Sequence, residues 1–206
     1  AIAGLSPDVI RPTALVLNIV VAAIGSVQFA RAGHFRRGLF FPLAAASVPC
    51  AAFGGATALP TAMFDTLLGA VLAVSAGWIV VEVAGRSNGD SAAGAGSARP
   101  SMSAVTLAAL GVGIGLVSGL TGVGGGVFLT PVLVALRAAP VKQVAGVTAP
   151  FILVNSLAGL AGGFATGGTL PPVSLPTVAM AATGGLVGSQ LGAFRLPVPA
   201  VKLLMA

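Results

Sequence analysis

A run of clustered glycines is the part of the sequence whose residue types could do chemistry. From Thr121 to Gly126 the chain reads TGVGGG, and Pro131 follows within a ten-residue apolar run, 127–136. Clustered glycines weaken a helix because glycine loses the most conformational freedom on folding. A helix that breaks here and restarts leaves unpaired backbone N–H groups at its new N-terminus. Those groups, at the positive end of a helix dipole, suit an anion without any buried Lys or Arg.

The same glycines do not match a nucleotide-binding motif. No Lys followed by Ser or Thr comes after them, as a P-loop requires. No alternation of strands and helices surrounds them, so a dinucleotide-binding fold is also excluded. A flexible turn between two helices at a membrane surface remains the alternative interpretation of this segment.

Two asparagines stand in the middle of long apolar runs and are the next candidates for substrate contact, Asn18 and Asn155. An amide in such a place must find a hydrogen-bond partner in a low-dielectric surrounding, either a substrate or a neighbouring helix. Thr148 and Ser156 can satisfy their hydroxyl groups on their own helix, which favours structural roles for both.

The composition identifies the elements that must position these residues as membrane-spanning helices. Of 206 residues, 56% are hydrophobic and only 7% are charged, with a mean hydropathy of +1.06. A soluble domain carries about 25% charged residues, so a polytopic all-α membrane protein is predicted. Apolar runs of spanning length lie at 13–29, 39–58, 61–81, 104–121, 143–165 and 177–194.

The scarcity of reactive side chains excludes several function classes. One His, one Cys and four acidic residues cannot build a multi-ligand metal centre or an ordinary acid–base pair, so no enzyme, metal or cofactor is predicted. The ten basic residues are scattered between apolar runs and form no patch for nucleic acid. The predicted partners are therefore a small anion and the lipid bilayer, with a homo-oligomer left open.

The basic residues also predict an orientation, because cytoplasmic loops collect Lys and Arg. The loop 31–37 and the small, polar linker 85–103 are placed in the cytoplasm, and Arg11 is the one basic residue left outside. In this threading the runs 104–121 and 127–136 must enter and leave on the same face. A multi-pass membrane protein is predicted.

A shift of 137 positions relates the two halves of the chain. Asn18 then meets Asn155 and Gly25 meets Gly162, while the matched segments 13–29 and 143–165 run in opposite directions. Opposed directions are typical of the inverted-topology repeats of secondary transporters.

The repeat predicts a division into 1–84, the linker 85–103, and 104–206. On this division the first repeat's glycine-rich element should lie upstream of Ala1, and the last helix should run on beyond Ala206.

Two glycine stripes with a spacing of four residues predict close helix packing. They comprise Gly111, Gly115 and Gly119, and then Gly184, Gly188 and Gly192.

Three segments together resemble a known family. The run GLVSGLTGVGGGVFLTPVL at 115–133, the step Ala145-Gly-Val-Thr148 and the run Asn155-Ser-Leu-Ala-Gly159 are similar to the TauE/SafE sulfite-exporter family. The resemblance implies two repeats, each with a glycine-rich motif, and export of a small sulfur anion across the bacterial inner membrane. It implies substrate-binding roles for Thr121, Gly124, Gly125, Gly126, Pro131, Thr148 and Asn155, with Asn18 as the repeat partner.

The expected function is a secondary transporter of sulfite, sulfoacetate or a related organosulfonate that works by alternating access. The anion would be held by backbone N–H groups at the broken helix, with the Asn155 amide and the Thr148 hydroxyl as further donors. A transporter or channel for another small anion, or a structural membrane subunit, is the alternative.

Overall fold

The computed structural model describes residues 7–57, 59–86, 102–136, 138–169 and 173–195, and within these ranges it contains helices only. The predicted all-α class is therefore confirmed. The helices are α1 Pro7–Arg31, α2 Arg37–Ala56, α3 Thr61–Arg86, α4 Ala104–Thr121, α5 Gly126–Ala135, α6 Val141–Ala165 and α7 Leu175–Gln190, followed by a π-helical turn, Leu191–Arg195.

Four of the described helices are long and apolar enough to cross a membrane: Val9–Arg31, Arg37–Ala56, Ala104–Thr121 and Val141–Ala165. The predicted spans in α3 and α7 are not among them, and α7 has only 16 residues before the π-helical turn. Most of the predicted linker and the end of the second repeat lie outside the described residues. The inverted repeat remains a prediction.

Local signals in the sequence explain where α4 begins and ends. Ser103 caps the N-terminus, because its hydroxyl oxygen accepts a hydrogen bond from the Thr106 N–H at 3.1 Å. Gly122 ends the helix in the left-handed conformation, with φ of +76°. Glycine adopts this conformation without the steric cost that a Cβ would bring.

The α4 glycine stripe packs directly on the backbone of α2. A Cβ added at Gly111 or Gly119 would collide with a carbonyl oxygen of α2. The residue numbers in contact increase together along the two helices, from Leu43 against Gly111 to Ala51 against Gly119, so α2 and α4 run parallel. The packing role predicted for this stripe is confirmed.

Helix α6 completes a block with α2 and α4, and α1 and α7 lie outside it. Gly146 lies against the carbonyl of His34 just before α2, and Gly162 lies against Ala52 near the end of α2, so α6 also runs parallel to α2. The block closes around a buried cluster of Leu39, Leu43, Leu107, Ile114, Leu129, Leu133, Val144, Val147 and Phe151.

The basic loop marks one end of the bundle, named here the basic end. Arg36 Nη1 donates to the carbonyl oxygen of Ala138 at 3.5 Å, so the loop 31–37 and the α5–α6 connection lie together. Because α4 runs parallel to α2, α4 also starts at this end, and Met102 packs against the same cluster as Ala138. Helix α4 thus leaves the basic end and α5 comes back to it.

Candidate anion site at the glycine break

Residues 122–125, named here the glycine break, separate α4 from α5. Gly122, Gly124 and Gly125 have φ values of +76°, +80° and +76°. Because L side chains rarely adopt this region, only glycine forms the turn without strain. The break lies against Ile114 and Phe151 in the interior of the bundle.

Four consecutive backbone N–H groups at the break are unpaired within the described residues. Val123 N–H still reaches Thr121 Oγ1 at 3.4 Å. From Gly124 to Val127, none of the N–H groups donates to an acceptor in the described part of the chain. They stand at the N-terminus of α5, where the helix dipole is positive. Unpaired donors of this kind are the elements of an anion site.

Polar side chains from α1 and α6 face this group of donors. A Cβ at Gly124 would lie 3.0 Å from Asn18 Nδ2, 3.1 Å from Ser156 Oγ and 2.9 Å from Ile152 Cγ2. Asn18 Nδ2 donates to the carbonyl oxygen of Gly122 at 3.3 Å. Because Asn has a second amide proton, Asn18 keeps a donor for another acceptor. The fold thus brings Asn18 to the break, although 104 residues separate it from Gly122.

Three buried side-chain oxygens near the break have no hydrogen-bond partner among the described residues. They are Ser118 Oγ, Ser156 Oγ and Asn155 Oδ1, and each side chain is 0% exposed. An unpaired buried polar group costs about 1–3 kcal/mol. The Ser118 Cβ lies 3.3 Å from the Cβ position of Gly125. Unpaired buried groups beside a set of unpaired N–H donors point to a ligand that would satisfy them.

The expectation that Ser156 satisfies its hydroxyl on its own helix is wrong. Ser26, Thr57 and Thr66 do bond a carbonyl oxygen four residues earlier, whereas Ser156 Oγ finds no acceptor. Sequence reasoning missed Ser118 altogether. The signal was its place in SGLTGVGGG, one helical turn before the glycine break.

Asn155 lies where the hydropathy placed it, but its unpaired atom differs from the expected one. Nδ2 donates to the carbonyl oxygen of Phe151 at 2.9 Å, so one amide proton is used within α6. The unpaired atom is Oδ1, an acceptor. The second amide proton of Asn155 is still available, so the expected role as amide donor stays a prediction.

The two threonines expected at the site are occupied by protein partners. Thr121 Oγ1 donates to the carbonyl oxygen of Val117 at 2.7 Å, one turn earlier in α4. This bond uses the hydroxyl proton, so Thr121 has no side-chain donor left for a ligand. Thr148 Oγ1 accepts a hydrogen bond from Thr130 Oγ1 at 3.3 Å and ties α6 to α5. Because Thr148 accepts in this bond, its own proton is still available, and its expected donor role beside Gly126 stays a prediction.

Pro131 is not brought to the break. It stands inside α5, five residues beyond Gly126, and is half-buried. A proline has no N–H to donate and leaves the carbonyl four residues earlier without its helical partner. At this position Pro131 affects the shape of α5 and does not contact a ligand at the break.

Arg11 is a residue whose role the sequence did not reveal. Its Nη2 donates to the carbonyl oxygens of Gly54 and Gly119 at 3.0 and 2.9 Å, and Nη1 donates to that of Thr57 at 3.1 Å. One cation thus joins the C-terminal ends of α2 and α4, where helix dipoles are negative. This is the end of α2 opposite the basic end, named here the Arg11 end. The charge pattern placed Arg11 apart from the other basic residues but could not name its acceptors.

The arrangement offers neutral hydrogen-bond donors rather than charged or metal-binding groups. No three His, Cys, Asp or Glu side chains come together as a metal site among the described residues. The backbone N–H groups, the two serine hydroxyls and the Asn18 amide can together bind the oxygens of a small anion.

Comparison with known proteins shows which family the chain belongs to. The family model described as sulfite exporter TauE/SafE matches residues 1–206. The chain is a member of the TauE/SafE family. It is also 35% identical over 215 aligned positions to the probable membrane transporter protein y4hK of Sinorhizobium fredii (strain NBRC 101917 / NGR234), an alignment that covers 100% of this chain and 81% of that protein. No solved structure matches the chain significantly. This TauE/SafE member is thus a membrane transporter.

Proposed function

We propose that this TauE/SafE transporter exports a small sulfur-containing anion, such as sulfite, sulfoacetate or a related organosulfonate, across the bacterial inner membrane. The observation that carries the proposal is the row of unpaired N–H groups from Gly124 to Val127 at the start of α5. Buried hydroxyls without partners lie beside it.

The chemistry of a sulfur oxyanion fits these donors. A sulfite or sulfonate group presents three oxygens around one sulfur, each able to accept hydrogen bonds from more than one direction. In a low-dielectric interior, neutral donors and a helix N-terminus stabilise such a charge without a buried counter-ion. A site without a fixed positive charge also releases the anion more readily, which transport requires.

The transport cycle follows from the proposed topology. The pair α4 and α5 forms a re-entrant element that carries the anion site to the middle of the membrane. Two inverted repeats, with α1 and α6 as equivalent helices, surround this site and give it alternating access to the two sides of the membrane. The equal length of α1 and α6, 25 residues each, is consistent with this equivalence. The linker 85–103 and the loop 31–37 lie in the cytoplasm.

The two serine hydroxyls give the sharpest test of the site. We expect Ser156→Ala and Ser118→Ala, each in full-length protein in liposomes, to weaken sulfite binding about tenfold, as the loss of one hydrogen bond to an anion predicts. The thermal midpoint should stay equal or rise, because each change removes an unpaired buried oxygen. Ser26→Ala is the matched control, since the Ser26 hydroxyl already bonds the Ala22 carbonyl oxygen at 2.6 Å.

The flux measurement also distinguishes the alternatives. An exporter of sulfur anions is supported if radiolabelled sulfite flux saturates and is inhibited by sulfoacetate but not by chloride. Inhibition by chloride instead would favour a broader anion transporter, and unsaturable single-channel currents would favour a channel. Absence of any anion flux would remove the anion site and favour a structural subunit.

A further inference from the structure

One face of α1 connects two cavities on opposite sides of the glycine break. The face has the spacing 4, 3, 4, 3, 4, which keeps its side chains in line along a helix. It comprises Arg11, Leu15, Asn18, Ala22, Gly25 and Phe29. The first two line one cavity and the other four line the second.

The second cavity, named here the α1–α7 cavity, runs from the break toward the basic end. It has a volume of about 400 Å³ and lies between α1, α6 and α7. Asn18 and Ile152 line it and are also the neighbours of Gly124 at the break. From Asn18 to Phe29, α1 rises roughly 16 Å. The cavity therefore joins the unpaired donors to the region of the loop 31–37.

The glycines of α7 keep this cavity open. Gly184 and Gly188 line it, and a Cβ at either position would meet no other described residue within 4 Å. Larger side chains at these positions would occupy the space that the two glycines leave.

The first cavity, named here the Arg11 cavity, approaches the break from the other side. It has a volume of about 370 Å³, and Arg11, Leu15 and Gly159 are among its lining residues. The backbone of Arg11 lies against the break, since a Cβ at Gly122 would be 3.0 Å from the Arg11 carbonyl oxygen. Leu15 is 4% exposed and separates this cavity from Asn18 on the next turn of α1.

The Arg11 side chain binds the helices around that cavity together. Its bonds to Gly54 and Thr57 of the α2 end and to Gly119 of α4 join three helices on the Arg11 side of the break. A bidentate cation between two helix C-termini opposes their separation, because each separated carbonyl would lose a charge-assisted hydrogen bond.

We propose that the substrate path follows this face of α1, that the α1–α7 cavity is its open vestibule, and that Arg11 is the latch that closes the opposite end. The proposal rests on the transport function proposed above. It adds that α1 and α7 move relative to the block of α2, α4 and α6, with release of Arg11 as the step that opens the second side.

Thiol labelling tests both parts, and the chain is well suited to it. Cys50 is the chain's single cysteine, so Cys50→Ser gives a cysteine-free background. Val21→Cys reports on the α1–α7 cavity, which Val21 lines while 38% exposed, and Leu15→Cys reports on the Arg11 cavity. Val27→Cys is the matched control, because Val27 is on the same helix, 50% exposed, and lines neither cavity.

The expected result is asymmetric labelling in sealed vesicles with a membrane-impermeant maleimide sulfonate. Val21→Cys should react from one side of the membrane only, and about tenfold faster than Val27→Cys, whose thiol faces lipid in the predicted span 13–29 and stays protonated. Equal rates at both positions would overturn the vestibule and mean that lipid or another helix fills the cavity.

The latch has its own readout. Leu15→Cys should be protected while Arg11 is present, and Arg11→Met should expose it from the side opposite to that of Val21→Cys. If Arg11→Met does not fold, Arg11→Lys serves instead, because Lys keeps the charge but cannot bridge three carbonyls in fork geometry. Leu15→Cys labelling unchanged in a folded Arg11 variant would overturn the latch. The labelling uses no sulfite, so a failure of the path and a failure of the anion site give separate results.

Discussion

Two glycine stripes with the same spacing behave in opposite ways in this molecule. In α4, Gly111, Gly115 and Gly119 lie so close to α2 that no side chain fits. In α7, a Cβ at Gly184 or Gly188 would meet no other described residue within 4 Å, and one at Gly192, in the π-helical turn that follows, would meet only Phe29, at 3.6 Å. The packing predicted for this stripe is therefore not seen at Gly184 and Gly188 within the described part of the chain.

The difference separates a tightly packed part of the bundle from an open one. Where helices meet backbone to backbone, as α2 and α4 do, van der Waals contacts are dense and rearrangement is costly. Where glycine leaves space, as on α7, a neighbouring helix can shift without breaking contacts. The glycine break lies between these parts, because Gly125 packs against α4 and α6 while Gly124 faces Asn18 of α1.

The largest effect is expected from filling the tight contact. Gly119→Ala places a Cβ against the Ala51 carbonyl oxygen, which is backbone and cannot swing away. We expect a loss of about 3 kcal/mol of stability or more, the upper range of overpacking effects. Thermal unfolding in detergent measures it, and an unchanged midpoint would mean that the α2–α4 contact is looser than described.

A smaller effect is expected from replacing Asn155, which lies on α6, the helix between the tightly packed and the open part of the bundle. Asn155→Ala removes the unpaired Oδ1 together with one bond to the Phe151 carbonyl oxygen, so these two changes offset each other in stability. We expect flux to fall about tenfold, the value of one lost hydrogen bond to the anion or its water. Gln143→Ala, toward the basic end of α6, is the control, and unchanged flux in Asn155→Ala would remove Asn155 from the site.

The open stripe should tolerate the change that the tight stripe rejects. Gly188→Ala adds a methyl group where no described residue is in contact and removes the helix penalty of glycine, so we expect a gain of about 0.5–1 kcal/mol. The same thermal assay used for Gly119→Ala makes the comparison direct. A loss of stability in Gly188→Ala would show that a further helix covers this face.

The smallest effect is expected between α5 and α6. Thr130→Val removes the one described hydrogen bond between Thr130 and Thr148 but keeps the shape of the side chain. Hydrogen bonds between membrane helices contribute about 0.6 kcal/mol on average. Thr130→Ser should retain the bond, and a loss of stability as large as that of Gly119→Ala would contradict this ranking.

Much of the fold could be predicted because it depends on neighbours in sequence. Runs such as 39–58 and 104–121 are apolar over the length of a bilayer, and the structure has α2 at Arg37–Ala56 and α4 at Ala104–Thr121. The position of the break could also be predicted, since clustered glycines weaken a helix wherever they occur. The predicted span in α7 was not found among the spanning helices, because α7 has only 16 residues before the π-helical turn.

The candidate site could be predicted only in part. Gly124 and its neighbours were found by their clustering, and Asn18 and Asn155 by their polarity within apolar runs. The place of Ser118 one turn before the break was visible in the sequence, but its unpaired oxygen was not, because a serine in a membrane helix usually bonds its own backbone.

The sequence by itself determined that this protein is an all-helical membrane transporter of the TauE/SafE type, with a weak point in one helix at 122–125. The helical membrane fold and the weak point follow from composition, length of apolar runs and local glycine content, which act on each segment separately, whereas the family follows from the motifs at 115–133, 145–148 and 155–159. The tertiary structure decided which glycines are packed and which line a cavity, which donors at the break stay unpaired, and which carbonyls Arg11 joins. Those outcomes depend on contacts such as Arg11 with Gly119, 108 residues apart, and no local preference specifies a contact at that distance.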